Sequence, residues 1–194
     1  RLYGACVTAE YTVSNNGDSV MPYCLGGHPA FRVPLEKGEN FADYRITFAQ
    51  PETADCPQVN MQTGLIRDGK RNRFLTDADT FALNHVLFRG DALVFDQLKS
   101  RSVKLYSANS GHGVQMDFGG MDYFAIWSPM DDAPFVCLEP WTGTATLESE
   151  DDVFEHKQGV SLLAPGQQAR RGRHQGKQCG DFGQGQGGPP RDKA

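Results

Sequence analysis

The chain has 194 residues, enough for one domain with a real core, and its 39% hydrophobic and 10% aromatic content fits a globular protein. A net charge of −5 argues against a general nucleic-acid binder, and no apolar run approaches the ~20 residues of a membrane-spanning helix. The five cysteines (Cys6, Cys24, Cys56, Cys137 and Cys179) are odd in number and form no CxxC pair, which argues against a disulfide framework or a thiolate zinc centre. Reduced thiols point to the cytoplasm. Position 1 is Arg, not Met, and no targeting segment is visible, so the expectation is that something preceded it.

Along the chain the apolar period is two, which is a strand signal. Val7, Ala9, Tyr11 and Val13 alternate with more polar neighbours. Asn15-Asn16-Gly17-Asp18 then predicts a hairpin turn, because Asn and Gly tolerate positive φ, with Ser19 to Leu25 as the returning strand. Tyr44, Ile46 and Phe48 alternate with Arg45 and Thr47, whereas the polar, turn-rich stretch Pro51 to Arg73 reads as a long surface connection. Further strands are predicted at 81–88, 92–95, 103–105 and 114–118. Tyr123 to Trp127 and Phe135 to Leu138 read as strands buried on both faces. The sole helical candidate is Leu147 to His156.

The composition changes after Ala169. Residues 170–194 hold six basic and two acidic residues, seven glycines and no Val, Ile, Leu or Met. The tail carries +4, leaving −9 on the rest. Such a segment buries too little surface to offset its ordering entropy, so the boundary is placed at 169/170 and a disordered basic Gly/Gln-rich tail is expected beyond it. For residues 1–169 many short strands, frequent turns and no long helix mean an all-β sandwich or barrel.

Two distant segments carry the candidate chemistry. In Gly26-Gly27-His28-Pro29-Ala30-Phe31, the glycines permit a tight bend or close ligand approach, and Pro29 biases His28 toward extended backbone. Taken alone, His28 reads as a satisfied histidine in a strand-end turn. In Pro134-Phe135-Val136-Cys137-Leu138-Glu139-Pro140-Trp141, a glutamate follows a short apolar run, where an unpaired charge is costly and burial raises the carboxyl pKa. A histidine and a carboxylate in one pocket can move protons in opposite directions, the minimum for general acid–base catalysis. Trp127, Trp141, Phe31 and Phe124 are candidate platforms for the C–H face of a sugar, although each singly is more often core, and Trp141 is favoured by its place beside Glu139. Asp91 and Asp96, flanking 92–95, are candidates for sugar hydroxyls. His85, His112, His156 and His174 show no metal-ligand spacing, so no metal is assigned. There is no GxGxxG, P-loop or GxSxG.

Together, GGHPAF with Arg32-Val33-Pro34-Leu35, Trp127-Ser128-Pro129 and PFVCLEPWTG resemble the aldose 1-epimerase (galactose mutarotase) family, nearest its LacX-like subgroup. Phe88-x-x-Asp91-Ala92-Leu93-Val94-Phe95-Asp96, Lys99-Ser100, Lys157-Gln158-Gly159 and Leu163-Ala164-Pro165-Gly166 extend the resemblance, in order, from about Tyr11 to Gly166. The resemblance implies a large antiparallel β-sandwich with a sugar cleft on one sheet, and mutarotation of a free aldose. Glu139 matches the family's base at the C1 hydroxyl, and His28 matches the acid at the ring oxygen. Asp91 is placed at a hydroxyl-binding acidic position. No cofactor is implied, because the reaction only relocates protons. The resemblance also implies that early family strands, with an arginine and a further histidine, precede Arg1, and that the tail replaces the family's closing strand. Two other readings are carried: a sugar-binding β-sandwich without turnover, and a hexose 6-phosphate mutarotase. The latter needs an arginine cluster at the cleft, where only Arg32 lies near His28 in sequence.

Overall fold

The computed structural model describes residues 1–179. Among these, thirteen strands form in chain order: β1 (Leu2–Tyr3), β2 (Cys6–Ser14), β3 (Met21–Tyr23), β4 (Ala30–Arg32), β5 (Tyr44–Val59), β6 (Ile66–Ala82), β7 (Leu93–Phe95), β8 (Ser102–Ser107), β9 (Gly113–Asp117), β10 (Tyr123–Trp127), β11 (Phe135–Trp141), β12 (Ser161–Leu163) and β13 (Gln168–Cys179). A seven-stranded sheet has the order β1-β2-β13-β9-β8-β5-β6, a four-stranded sheet the order β4-β11-β10-β7, and β12 pairs with β3. The named strand pairings are antiparallel. The only helical turns among the described residues are short 3-10 turns at Phe41–Asp43, His85–Phe88 and Phe154–His156, and no helix there is long and apolar enough to cross a membrane.

The core lies between the two larger sheets. Alternation along β5 and β8 sends Ile46, Phe48, Val103 and Leu105 inward, where they join Leu93, Phe95, Phe124, Ile126, Val136 and Leu138 from the four-stranded sheet in one buried cluster. Phe48 meets Phe95 edge to face, with ring centroids 5.4 Å apart, tying one sheet to the other. Phe118 stacks on Phe124 at 4.4 Å. The inner face of the four-stranded sheet is thereby committed to packing, and its outer face is available for a site.

Several sequence expectations are corrected. The chain bends at 17–19, where Gly17 N–H donates to Asn15 Oδ1 at 3.0 Å, but none of 15–18 takes positive φ, and β2 and β3 do not make a hairpin. The buried Asn15 side-chain amide donates to the carbonyls of Ser19 and Leu163, both at 2.8 Å, and steers the chain to β12 instead. Pro51 to Arg73 is not a connection: it spans most of β5, the turn at 60–65 and the start of β6. This arm is polar because β6 is an edge strand, where charge is tolerated and discourages edge-to-edge pairing, and register shifts accommodate the irregular stretch. The strand predicted at 81–88 ends at Ala82 and gives way to a 3-10 turn, and the helix predicted at 147–156 is reduced to the 3-10 turn Phe154–His156.

Strand pairing extends past Ala169 as far as Cys179. β13 lies between β2 and β9, pairing Arg170 with Thr12 and Gln178 with Val114, so the strand runs across the 169/170 boundary. Backbone pairing on both sides supplies what the composition lacks, since a ladder hydrogen bond needs no apolar side chain. The remainder of the predicted tail, 180–194, lies outside the described residues.

Two measurements test this architecture. Amides of 168–179 should show slowed hydrogen exchange, and exchange there at random-coil rates would contradict β13. Phe124→Ala, which removes a fully buried ring, should lower stability by about 3–5 kcal/mol in urea unfolding. A loss below about 1 kcal/mol would contradict its core placement.

Candidate active site

Because strand side chains alternate, Phe135, Cys137, Glu139 and Trp141 share one face of β11, opposite Val136, Leu138 and Pro140. Val136 and Leu138 point into the core, so Glu139 faces the outer side of the sheet. β10 divides the same way. Phe124 and Ile126 join the core, while Tyr123, Ala125 and Trp127 share the Glu139 face. Ala125 pairs directly with Glu139, and its single methyl leaves space beside the carboxylate.

β4 approaches from the other side, pairing Ala30 with Cys137 and Phe31 with Val136. Continued two residues upstream, that register sets His28 across from Glu139. Hydrogen bonds hold the chains together there: Leu138 N–H donates to the Pro29 carbonyl at 3.1 Å and Gly27 N–H to the Pro140 carbonyl at 2.9 Å. Gly26 is required by this close approach, since a Cβ there would lie 2.6 Å from Trp141 Cδ1.

The result is an imidazole over a recessed carboxylate. His28 Nε2 lies 3.2 Å from Glu139 Oε1, and the two side chains are 61% and 4% exposed. Burial pushes the Glu139 carboxyl above the usual carboxylate range, the imidazole of His28 opposes that rise, and the negative charge of Asp91 adds to it. The Cys137 thiol is pushed up to about 11, first by burial and then by the Glu139 charge. Asp91 thus lies within electrostatic reach of Glu139. It takes a left-handed backbone conformation, φ 78°, and its Oδ1 accepts the Ala92 N–H at 2.8 Å.

The two tryptophans flank the pair along the sheet. Trp127 presents an edge-on contact to His28, with ring centroids 6.2 Å apart and planes at 71°. Trp141, opposite Tyr123, stands at the other end of β11 against Gly26. The structure therefore brings together His28, Glu139, Trp127, Trp141 and, through its charge, Asp91. It does not bring Phe31 or Phe124 to this face: Phe31 packs against the core beside Val136, and Phe124 is fully buried. Asp96 is held by Arg71, whose two terminal nitrogens reach its oxygens at 2.5 and 2.8 Å. That pair lines a recess of about 90 Å³ with Arg67, Lys70 and Thr144, a feature that the sequence reading missed because its three basic residues, Arg67, Lys70 and Arg71, lie in the stretch read as a connection. His85 stacks on Phe41 at 3.9 Å, its Nδ1 2.9 Å from the Pro129 carbonyl oxygen.

Cys137 was also missed. The signal for it is the C-x-E spacing, since two residues apart on a strand means one face. With Cys137 and Glu139 both buried and His28 at the mouth, the arrangement can bind a hydroxylated ring between aromatic walls and exchange protons with it.

Comparison with known proteins gives a consistent picture. The family model described as aldose 1-epimerase matches residues 1–159. The chain is 38% identical over 165 residues to the LacX proteins, plasmid and chromosomal, of Lactococcus lactis subsp. lactis, covering 84% of this chain and 55% of theirs. It thus spans about half the length of these relatives. A galactose mutarotase related enzyme from Lactobacillus acidophilus superposes with a TM-score of 0.84 at 27% identity, over 93% of this chain and 60% of that one. A galactose mutarotase-like protein from Lactobacillus casei gives 0.73 at 26%, over 88% and 57%. With a sandwich fold, an outer sheet face carrying His28 and Glu139, and a family match across most of its length, the chain belongs to the aldose 1-epimerase family.

Proposed function

We propose that the protein catalyses mutarotation of a free aldose, with Glu139 as base and His28 as acid. The observation that carries this reading is the 3.2 Å approach of His28 Nε2 to Glu139 Oε1 on a sheet face that also carries Trp127 and Trp141. In a pyranose, the C1 hydroxyl and the ring oxygen are bonded to the same carbon. Two groups this close therefore address both oxygens of one anomeric centre. Glu139 takes the C1 hydroxyl proton while protonated His28 gives one to the ring oxygen. The C1–O5 bond breaks, leaving a C1 carbonyl and a C5 hydroxyl. Rotation about C1–C2 exposes the other carbonyl face, and the reversed transfers close the ring as the other anomer.

The environments suit these roles. A buried carboxyl with a raised pKa is a stronger base than an exposed one, and Asp91 reinforces that. Asp91, within electrostatic reach of Glu139, is the acidic group we assign to a sugar hydroxyl. Trp127 and Trp141 offer apolar walls to the C–H faces of the ring. Cys6, Cys24, Cys56 and Cys137 are unpaired, consistent with a reducing compartment such as the cytoplasm.

Polarimetry of freshly dissolved α-galactose or α-glucose is the direct assay. Glu139→Gln and His28→Ala should each lower the catalysed rate by roughly 10²–10⁴-fold. Full activity in either variant would refute the assigned role. The pH profile provides a second test. The base works ionised, so activity is lost as pH falls through the Glu139 pKa, which is raised. The acid limb should therefore lie above the ordinary glutamate value of about 4.3. A limb at or below that value would contradict Glu139 as the base.

A further inference from the structure

We propose that His28, Cys137 and Glu139 form a binding site for a divalent cation of the zinc class. Among the described residues these three bring imidazole nitrogen, thiol sulfur and carboxylate oxygen atoms within 4.8 Å of one another. Tetrahedral zinc, with bonds of about 2.0–2.3 Å to N, O and S ligands, needs ligand atoms about 3.3–3.8 Å apart. The His28–Glu139 pair, at 3.2 Å, lies just inside that spacing and would need to open by only about 0.1 Å. Because the ligand atoms all lie within 4.8 Å of one another, closing the cluster around a cation requires at most about an ångström of further approach.

The scaffold fixes the other two ligands. Cys137 and Glu139 stand two residues apart on one face of β11, whose inner face is locked into the core. Donor chemistry selects the metal: sulfur and imidazole favour zinc, cobalt or cadmium over magnesium and calcium. Charge also balances. A coordinated thiol gives up its proton, so one thiolate and one carboxylate neutralise the dication, and the released proton goes to solvent. Three protein ligands leave a fourth tetrahedral position for water or an exogenous ligand.

The consequence for catalysis rests on the mutarotase reading, whereas the site itself does not. A bound cation occupies both the imidazole lone pair and the carboxylate oxygen that proton transfer uses, so it inhibits mutarotation and competes with sugar.

The test is titration of the full chain with Cd²⁺ or Co²⁺, read by the ultraviolet thiolate-to-metal charge-transfer band. One equivalent should produce the band, and Mg²⁺ should not. Cys137→Ser should abolish it, while His28→Ala should weaken Cd²⁺ binding by at least about tenfold. A band of undiminished intensity in Cys137→Ser would assign the metal to one of the other four cysteines and overturn the proposal, as would no band in the unaltered protein. The spectral readout needs no activity, so failure of the mutarotase assay and failure of this site remain distinguishable.

Discussion

The fold presents a nearly buried carboxylate on the outer face of a core sheet, beneath an exposed imidazole, and the rest of the site depends on that placement. Glu139 owes its position to strand alternation: Leu138 and Pro140 take one face of β11 and the glutamate takes the other. Its charge is only 3% exposed and sits where water solvates it poorly. The imidazole of His28 compensates in part, and the remaining penalty appears as a raised proton affinity, which is the property a base near neutrality needs. Desolvation that is a cost for folding becomes a resource for proton transfer.

The same register that buries Glu139 delivers its partner. β4 and β11 are short, but their pairing continues through the backbone bonds at Pro29 and Gly27, so His28 is carried to the mouth by the main chain rather than by a flexible loop. Gly26 is part of this arrangement because Trp141 occupies the volume a side chain would need. The alanine opposite Glu139 has a comparable role on the β10 side. Small residues keep the space beside the carboxylate open, and large aromatic ones bound it.

Much of this was legible in the sequence. Phe124, Ile126, Val136 and Leu138 announce buried strands because core contacts demand apolar side chains. His28 and Glu139 were visible because glycine, proline and an apolar run make an odd setting for titratable groups. What was not legible depends on partners distant in sequence. β13 forms from Gly, Gln and Arg because β2 and β9 offer backbone groups to pair with, and no local pattern records that. The turn signal after β2 yields a bend rather than a hairpin, and the destination of the chain is set by an Asn15 amide bonded to Leu163. Phe31 looked like a sugar platform by proximity to His28, but three residues along an extended chain place it on the opposite face.

The most direct measurement of the central claim is a crystal structure of the Glu139→Gln variant with galactose or glucose bound. The account predicts the C1 hydroxyl within hydrogen-bond distance of the residue 139 side chain and the ring oxygen within reach of His28 Nε2. A sugar seated in this recess with its anomeric carbon directed away from both groups would contradict it.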